Sequence, residues 1–287
     1  KYFEMSHLFT QWGAEHAPKI IAEVDEEKKR IFGWETDADS EEYRDFLRRF
    51  AAALTAFIDR KSIRNFCRFH VSDEPSLEQY EVYKKRADLI AEIFPGFKVI
   101  DALSDIEFFD KGAVKYPIPS EDHVEDFVGK VDEFWTYYCC GQHNKNVPNR
   151  FFAMPSARNR ILGTLLYKYN ATGFLQWGYN YWYSQFSKHE IDPFTVTDAG
   201  KAFPSGDAFV VYPGEDGQPL NSLRLKVFYD GLQDLAAMRL LESLVGREKA
   251  LEIVVQDDEL TFQNYPHGSS YLLALKERVN KAIKENI

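Results

Sequence analysis

The sequence predicts an α/β fold in which helices alternate with the strands of a parallel sheet. Apolar runs of strand length and segments with helical periodicity follow one another along the 287 residues, which is the pattern of βα units. Six strands are predicted, two fewer than a closed (β/α)8 barrel requires. An open doubly wound sheet is the alternative, and it is disfavoured because no glycine-rich nucleotide loop follows a strand.

The predicted strands are short apolar runs closed by polar or turn-forming residues. In chain order they cover 2–10, 66–71, 97–103, 133–139, 173–179 and 208–212. The first ends at Gln11-Trp12-Gly13, and the second is closed by Ser72-Asp73-Glu74-Pro75. Because catalytic groups gather at the carboxyl ends of parallel strands, the residues that follow each strand are the first candidates for a site.

The predicted helices are identified by start signals and by apolar residues at helical spacing. Pro18 can open the first helix, and Asp39 with Glu42 forms a capping-box pattern before the second. Ser76 with Gln79 can cap the third. In order, the helices cover 18–32, 43–58, 76–95, 121–128, 158–169 and 222–244, followed by a mostly helical tail from 247 that breaks at 265–268. Residues 141–155 are predicted to form a long loop.

Charge and cysteine usage limit the partners of the chain. It carries 35 Lys and Arg against 45 Asp and Glu, a formal net charge of −10, so repulsion from phosphate disfavours nucleic acid and anionic membrane surfaces. No apolar run reaches membrane length. The three cysteines show no CxxC spacing, which disfavours a zinc site or a disulfide framework and favours a reducing, cytoplasmic compartment.

The sharpest chemical motif is the acid pair Asp73-Glu74 in His70-Val71-Ser72-Asp73-Glu74-Pro75. The pair directly follows a buried strand and precedes a helix, where both carboxylates can reach one pocket as the backbone turns. When two carboxylates lie so close together, their repulsion raises the pKa of one of them. One carboxyl group can then act as an acid and the other as a base or stabiliser. The structural alternative is helix capping, since acids favour the first turn of a helix.

Aromatic residues form 15% of the chain, and several lie among polar residues at strand ends. The segment from Trp177 to Trp182 includes Tyr179 and Asn180 and has the composition of a wall that stacks on sugar rings. Tyr138 lies near the end of the predicted strand 133–139, and Trp12 follows the predicted strand 2–10. The alternative for each is ordinary aromatic packing, and their recurrence at several strand ends favours function.

Two other hydrolase chemistries are weaker alternatives. A metal site could draw ligands from the histidines and acids at the strand ends, but no two of them lie at i, i+4 within a predicted helix or have His-x-His spacing. The candidate ligands are His7, His70, His143, Asp73 and Glu74. Ser-His-Asp hydrolysis lacks the Gly-x-Ser-x-Gly elbow. We therefore expect neither a metal nor another cofactor.

Five stretches of the chain resemble glycoside hydrolase family 123, the β-N-acetylgalactosaminidases, and related proteins that share their C-terminal region. They are HLFTQWGA at 7–14, HVSDEP at 70–75, QWGYNYW at 176–182, PSGDAFVVYPG at 204–214 and SLRLKVFYDGLQD at 222–234. The stretches span most of the chain. The resemblance implies a glycan or glycoconjugate substrate.

The resemblance also implies a (β/α)8 barrel of TIM type with the Asp-Glu pair after its fourth strand. Segment 2–10 would then be strand three, and the strands near 98, 134, 174 and 209 would be strands five to eight. We therefore expect residues 1–245 to form a catalytic barrel region that lacks its first two strands, and residues 246–287 to form a helical extension packed on it. The chain would be a fragment whose activity alone is in doubt.

The mechanism implied by the resemblance is retaining hydrolysis assisted by the substrate's 2-acetamido group. Glu74 would be the general acid and base, and Asp73 would hold the acetamido N–H and stabilise the oxazolinium intermediate. Substrate-binding roles would fall to the following residues: Trp12, His70, Tyr138, Trp177, Tyr179 and Asn180. For His70, orientation of a carboxylate and a structural role in the core are equal alternatives.

Three questions stay open at this point. The sugar could be GalNAc, which the family favours, or GlcNAc. The chain could instead be a non-catalytic carbohydrate-binding or assembly module, or a glycosidase in which one of the two acids is a direct nucleophile. The oligomeric state and the natural glycan are not predicted.

Overall fold

The fold is given by a computed structural model that describes residues 2–256 and 259–287. Lys1, Asp257 and Asp258 belong to the predicted catalytic region and helical extension and lie outside the described residues. The chain divides into an N-terminal unit, residues 1–119 and 126–134, and a C-terminal unit, residues 120–125 and 135–287. This division does not coincide with the predicted boundary at residue 245. None of the helices in the described ranges has the length and apolarity to cross a membrane.

The N-terminal unit is built on a parallel sheet of four strands. Its strands and helices are β1 (Phe3–Glu4), β2 (Ile20–Val24), β3 (Glu27–Phe32), α1 (Glu41–Arg60), β4 (Cys67–Phe69), α2 (Tyr80–Ile93), β5 (Lys98–Ala102), α3 (Glu107–Asp110) and β6 (Tyr116–Ile118). The sheet order is β1-β4-β5-β6, and every neighbouring pair in it is parallel. The mixed α/β class with a parallel sheet is therefore confirmed.

The helix predicted over 18–32 is wrong, because this segment forms the antiparallel hairpin β2–β3. The turn residues Asp25 and Glu26 have φ angles of 54° and 65°, the left-handed geometry that a tight two-residue hairpin needs. Both strands are largely exposed, so little apolar burial marks them in the sequence. The charge-rich composition from Glu23 to Arg30 suits a helix as well as a strand, and the turn decides between them.

Helices α1 and α2 confirm two predictions, although the cap of α1 differs. Ser40, not Asp39, is the N-cap, and its hydroxyl accepts a hydrogen bond from the Tyr43 N–H. Asp39 is occupied elsewhere, because Arg86 donates two hydrogen bonds to its carboxylate. The predicted capping box of Ser76 and Gln79 is present before α2.

The described residues of the C-terminal unit form a parallel pair of strands, an antiparallel hairpin and five α-helices. They are β7 (Trp135–Tyr138), α4 (Ser156–Arg160), α5 (Leu162–Lys168), β8 (Gly173–Gln176), β9 (Val211–Pro213), β10 (Pro219–Asn221), α6 (Leu223–Val245), α7 (Arg247–Val255) and α8 (Ser269–Asn286). β7 and β8 are parallel. Helices α6, α7 and α8 share one apolar core, so the predicted helical extension packs on the helix that precedes it.

Two strand predictions are corrected. The last predicted strand, 208–212, is not part of a parallel sheet, because β9 pairs antiparallel with β10 in a hairpin. The parallel strand β6 was missed, since its sequence Tyr-Pro-Ile is short and contains a proline that seldom occurs inside a sheet. An eight-stranded barrel is not shown by the strand pairing of the described residues.

The crossing of α5 and α6 depends on two glycines. A Cβ at Gly163 would overlap the carbonyl oxygen of Gly231, and a Cβ at Gly231 would lie 2.7 Å from the carbonyl oxygen of Arg160. We expect Gly163→Ala to lower the free energy of unfolding by about 1–3 kcal/mol, because the helices must separate to admit a methyl group. Urea unfolding followed by circular dichroism measures this loss.

Gly141→Ala is the matched control for that measurement. A Cβ at Gly141 would meet only the Cys139 sulfur at 3.5 Å, which is ordinary van der Waals contact. Its stability should equal that of the unmodified chain. Equal stabilities for the Gly163 and Gly141 variants would contradict the proposed role of the α5–α6 contact.

Candidate active site

The acid pair lies on a sharp turn at the end of β4. The backbone leaves the strand after Phe69, and the Trp12 N–H donates to the carbonyl of Asp73 at 2.9 Å. The Glu74 N–H donates to the carbonyl of Ala102 at 2.9 Å. Glu74 has a φ of 45°, a left-handed conformation that is uncommon outside glycine and is enriched at functional sites. The two acids are therefore held by backbone bonds on both sides.

The two carboxyl groups lie in different environments. Asp73 is half-buried, whereas Glu74 is exposed. Burial, reinforced by the Glu74 and Asp101 carboxylates and opposed by His70, raises the pKa of Asp73 to about 7. Such a site can hold one acid partly protonated near neutral pH beside a second acid that solvent reaches.

A buried network lies directly behind the pair, centred on Asp101 in β5. Its carboxylate is fully buried and accepts a hydrogen bond from the Tyr83 hydroxyl at 2.5 Å. His70 is 1% exposed, with Nδ1 3.1 Å from Asp101 Oδ1 and Nε2 2.9 Å from Glu4 Oε1. Burial lowers the pKa of His70, but its contacts with Asp101 and Glu4 outweigh this and raise it to about 9. His70 is therefore a buried cation between two carboxylates.

A metal ion could draw ligands from this network. Ligand atoms of His7, His70 and Asp101 lie within 4.8 Å of one another. Burial and the neighbouring His70 lower the pKa of His7 to about 4, so His7 is neutral, and its Nε2 is buried without a hydrogen-bond partner among the described side chains. His70 and Asp101 already contact each other, and Asp101 also accepts a hydrogen bond from the Val71 N–H. An ion would have to displace those contacts, so the donor set fits a hydrogen-bonded ion-pair network better.

Trp12 lies beside the pair through the backbone bond to Asp73. Its side chain is 51% exposed, and its φ of 56° is also left-handed. Gln79, at the start of the next helix, donates to the Trp12 carbonyl at 2.6 Å. The N-terminal unit therefore carries four of the predicted site residues on or behind one turn, namely Trp12, His70, Asp73 and Glu74.

The other four predicted site residues belong to the C-terminal unit. Tyr138 is 1% exposed, and its hydroxyl donates to Gln176 Oε1 at 3.2 Å. Trp177 is half-buried, and its ring lies 5.2 Å from that of Phe203. Tyr179 and Asn180 are exposed. Solvent therefore reaches the side chains of Tyr179 and Asn180 but not the buried side chain of Tyr138.

Arg150 and Asp207 form a buried ion pair that organises these residues. Arg150 Nη1 lies 2.9 Å from Asp207 Oδ1, and Arg150 Nη2 donates to the Trp177 carbonyl at 3.1 Å. The guanidinium also lies 4.6 Å from the centre of the Tyr138 ring. Burial raises the pKa of Asp207, and Arg150 opposes that shift. Arg150, in the loop before α4, therefore connects Trp177 at the end of β8 with Asp207 in the segment before β9.

Comparison with known proteins assigns the family. The model of the glycoside hydrolase 123 catalytic domain matches residues 2–241. This chain belongs to glycoside hydrolase family 123. A family 123 glycoside hydrolase from Clostridium perfringens, studied for glycolipid glycan hydrolysis, has a similar fold, with a TM-score of 0.60 and 17% identity. The match covers 93% of this chain and 48% of that one, so this chain spans about half its length. No curated protein sequence matches.

The matched family model describes the catalytic domain of a glycoside hydrolase. Two buried acids of this family 123 domain were missed by sequence reasoning. Asp101 had a signal, since it is an acid inside a largely apolar strand. Glu121 had none, although it is fully buried, both its carboxylate oxygens lack a hydrogen-bond partner among the described residues, and burial raises its pKa well above the usual range.

Proposed function

We propose that this protein is a retaining β-N-acetylhexosaminidase, with GalNAc as the favoured sugar, that works by substrate assistance. The observation that carries the proposal is the pair of adjacent acids on one strained turn of a family 123 domain. Acids adjacent on one turn are poorly placed to flank a sugar ring on opposite faces, as an acid and a separate carboxylate nucleophile must. A nucleophile supplied by the substrate's own acetamido oxygen removes that need.

Glu74 is the proposed general acid and base. Its exposure suits proton exchange with both the leaving oxygen and the incoming water. In the first step Glu74 protonates the glycosidic oxygen while the acetamido oxygen attacks the anomeric carbon. In the second step it takes a proton from water, which opens the oxazolinium with overall retention.

Asp73 is the proposed stabiliser of the intermediate. Its half-buried carboxyl, with a pKa of about 7, is partly ionised at neutral pH in the absence of substrate. Positive charge that develops on the acetamido group favours the ionised form, because an opposite charge lowers the pKa of a carboxyl. The interaction is therefore stronger in the transition state than in the ground state, as catalysis requires.

The substrate-binding roles are proposed with different support for each side chain. The exposed rings of Trp12 and Tyr179, the half-buried ring of Trp177 and the amide of Asn180 suit contact with a sugar. Tyr138 would have to exchange its bond to Gln176 for one to the acetamido oxygen. The burial of His70 suits a role in orienting a carboxylate.

The (β/α)8 barrel remains part of the proposal. It is supported by the parallel pairing of β1, β4, β5 and β6 and by the parallel pairing of β7 with β8. The net charge of −10 likewise supports a glycan as the partner in preference to nucleic acid or an anionic membrane. A cytoplasmic location is proposed from cysteine usage alone.

The test is hydrolysis of p-nitrophenyl β-GalNAc and β-GlcNAc, with and without a GalNAc-derived thiazoline. We expect release of p-nitrophenol, faster from β-GalNAc, and tight inhibition by the thiazoline, which mimics the oxazolinium. Hydrolysis that the thiazoline does not inhibit would instead assign a direct carboxylate nucleophile. Binding of amino sugars without hydrolysis, in this chain and in a version with any natural flanking sequence, would assign a binding module.

A further inference from the structure

We infer that Asp101 is a positioning residue that fixes the Asp73–Glu74 turn by holding the end of β4 through its carboxylate. The inference rests on the proposed function for its catalytic consequence. Asp101 lies in β5, is fully buried, and is not one of the proposed substrate contacts.

The first step of the argument is a gap in the backbone pairing of β4 and β5. The two strands are in register at Phe69 and Val99, and the next backbone bond between these segments is from Glu74 N–H to the Ala102 carbonyl. Between these points the Val71 N–H donates to both oxygens of Asp101, at 3.1 and 3.2 Å. A side-chain carboxylate therefore supplies the acceptor where the ladder is interrupted.

The second step is the attachment of the same segment on its other side. The Phe9 N–H donates to the Val71 carbonyl at 3.2 Å, and the Ser72 hydroxyl donates to the Thr10 carbonyl at 2.7 Å. Val71 is thus held through its carbonyl by one neighbour and through its N–H by Asp101. Because Asp73 follows Val71 by only two positions, a shift at Val71 moves the acid pair.

The third step is the charge that makes Asp101 a stable anchor. A buried carboxylate is costly unless it is paired and hydrogen-bonded. His70, whose raised pKa keeps it protonated at neutral pH, lies 3.1 Å from Asp101 Oδ1, and the Tyr83 hydroxyl donates to Oδ2. Glu4 pairs with the far nitrogen of His70 at 2.9 Å. His70 therefore balances the charge of the Asp101 carboxylate, and the hydrogen bonds fix the orientation of that carboxylate.

The experiment compares Asp101→Asn with Tyr83→Phe. The amide keeps the size of the carboxylate but cannot accept hydrogen bonds at both atoms, so it weakens the hold on Val71. Tyr83→Phe removes one donor to the same carboxylate and leaves the bonds to Val71 intact. Hydrogen–deuterium exchange of peptides within residues 66–80 reports the turn, and kcat and KM on p-nitrophenyl β-GalNAc report its consequence.

For Asp101→Asn we expect exchange in 66–80 to rise at least about tenfold and kcat to fall about 10²-fold, with KM within about threefold, because a small misplacement impairs chemistry more than binding. Tyr83→Phe should change kcat less than about threefold. If Asp101→Asn does not fold, Asp101→Glu, which keeps the charge and displaces the oxygens, gives the same readouts.

Unchanged exchange in 66–80 together with an unchanged kcat would overturn the inference. A general loss of protection across the chain would do the same, since it marks a merely structural role. A further outcome is that the unmodified chain hydrolyses neither p-nitrophenyl β-GalNAc nor p-nitrophenyl β-GlcNAc while exchange in 66–80 rises only in the Asp101 variant. In that case the positioning role stands and the proposed function fails.

Discussion

Replacing Glu74 by Gln is expected to lower kcat on a β-GalNAc-terminated disaccharide by about 10²- to 10⁴-fold, the usual contribution of a general acid and base. The amide keeps the size and the hydrogen-bonding reach of the side chain but cannot protonate the glycosidic oxygen. Substrate affinity should change little, because the proton transfer occurs only in the transition state. Release of GalNAc measured by chromatography, together with KM, checks both expectations.

Glu78→Gln is the matched control for Glu74→Gln, since Glu78 is an exposed acid on the same segment and its loss changes the net charge equally. Its kcat should match that of the unmodified chain. Activated aryl glycosides should be affected less in the bond-breaking step, because their leaving groups depart without acid help. Undiminished turnover of the disaccharide by Glu74→Gln would remove Glu74 from the mechanism.

The turn that carries the acid pair could be predicted because its signal is local. A buried strand, a serine, two acids and a proline follow one another, and the structure places the acids on a turn with Glu74 at a positive φ. The family could also be predicted, from five separate stretches, and is confirmed by the match over residues 2–241. What the sequence lacks is the left-handed geometry itself, which comes from backbone bonds to Trp12 and Ala102.

The missed features either lack an apolar pattern or depend on contacts distant in sequence. The β2–β3 hairpin has exposed strands, so no apolar pattern distinguishes it from a polar helix. The role of Asp101 requires the parallel register that places it opposite Val71, thirty residues earlier in the chain. Local patterns define the turn, whereas the groups that hold it are defined by the sheet.

Breaking the Arg150–Asp207 ion pair should have the largest effect on stability. We expect Arg150→Met to lower the free energy of unfolding by about 3–5 kcal/mol, because it leaves Asp207 buried without its counterion. The variant also removes the hydrogen bond to the Trp177 carbonyl and the contact with the Tyr138 ring. Urea unfolding of the variant and the unmodified chain measures the difference.

The pH dependence of that loss of stability distinguishes the effect of the unpaired Asp207 carboxylate from the effect of lost packing. Burial already raises the pKa of Asp207, and without Arg150 the pKa rises further above its unfolded value. The folded variant then holds a proton that the unfolded chain has released, so its stability falls as the pH rises. The deficit should therefore be larger at about pH 8 than at about pH 5.

Arg49→Met provides the control, because Arg49 pairs with Asp45 at 3.0 Å on the exposed face of α1. An exposed pair contributes little, so this variant should be nearly as stable as the unmodified chain at both pH values. A pH-independent deficit in Arg150→Met would indicate that the lost side-chain volume, and not the unpaired Asp207 carboxylate, destabilises the C-terminal unit.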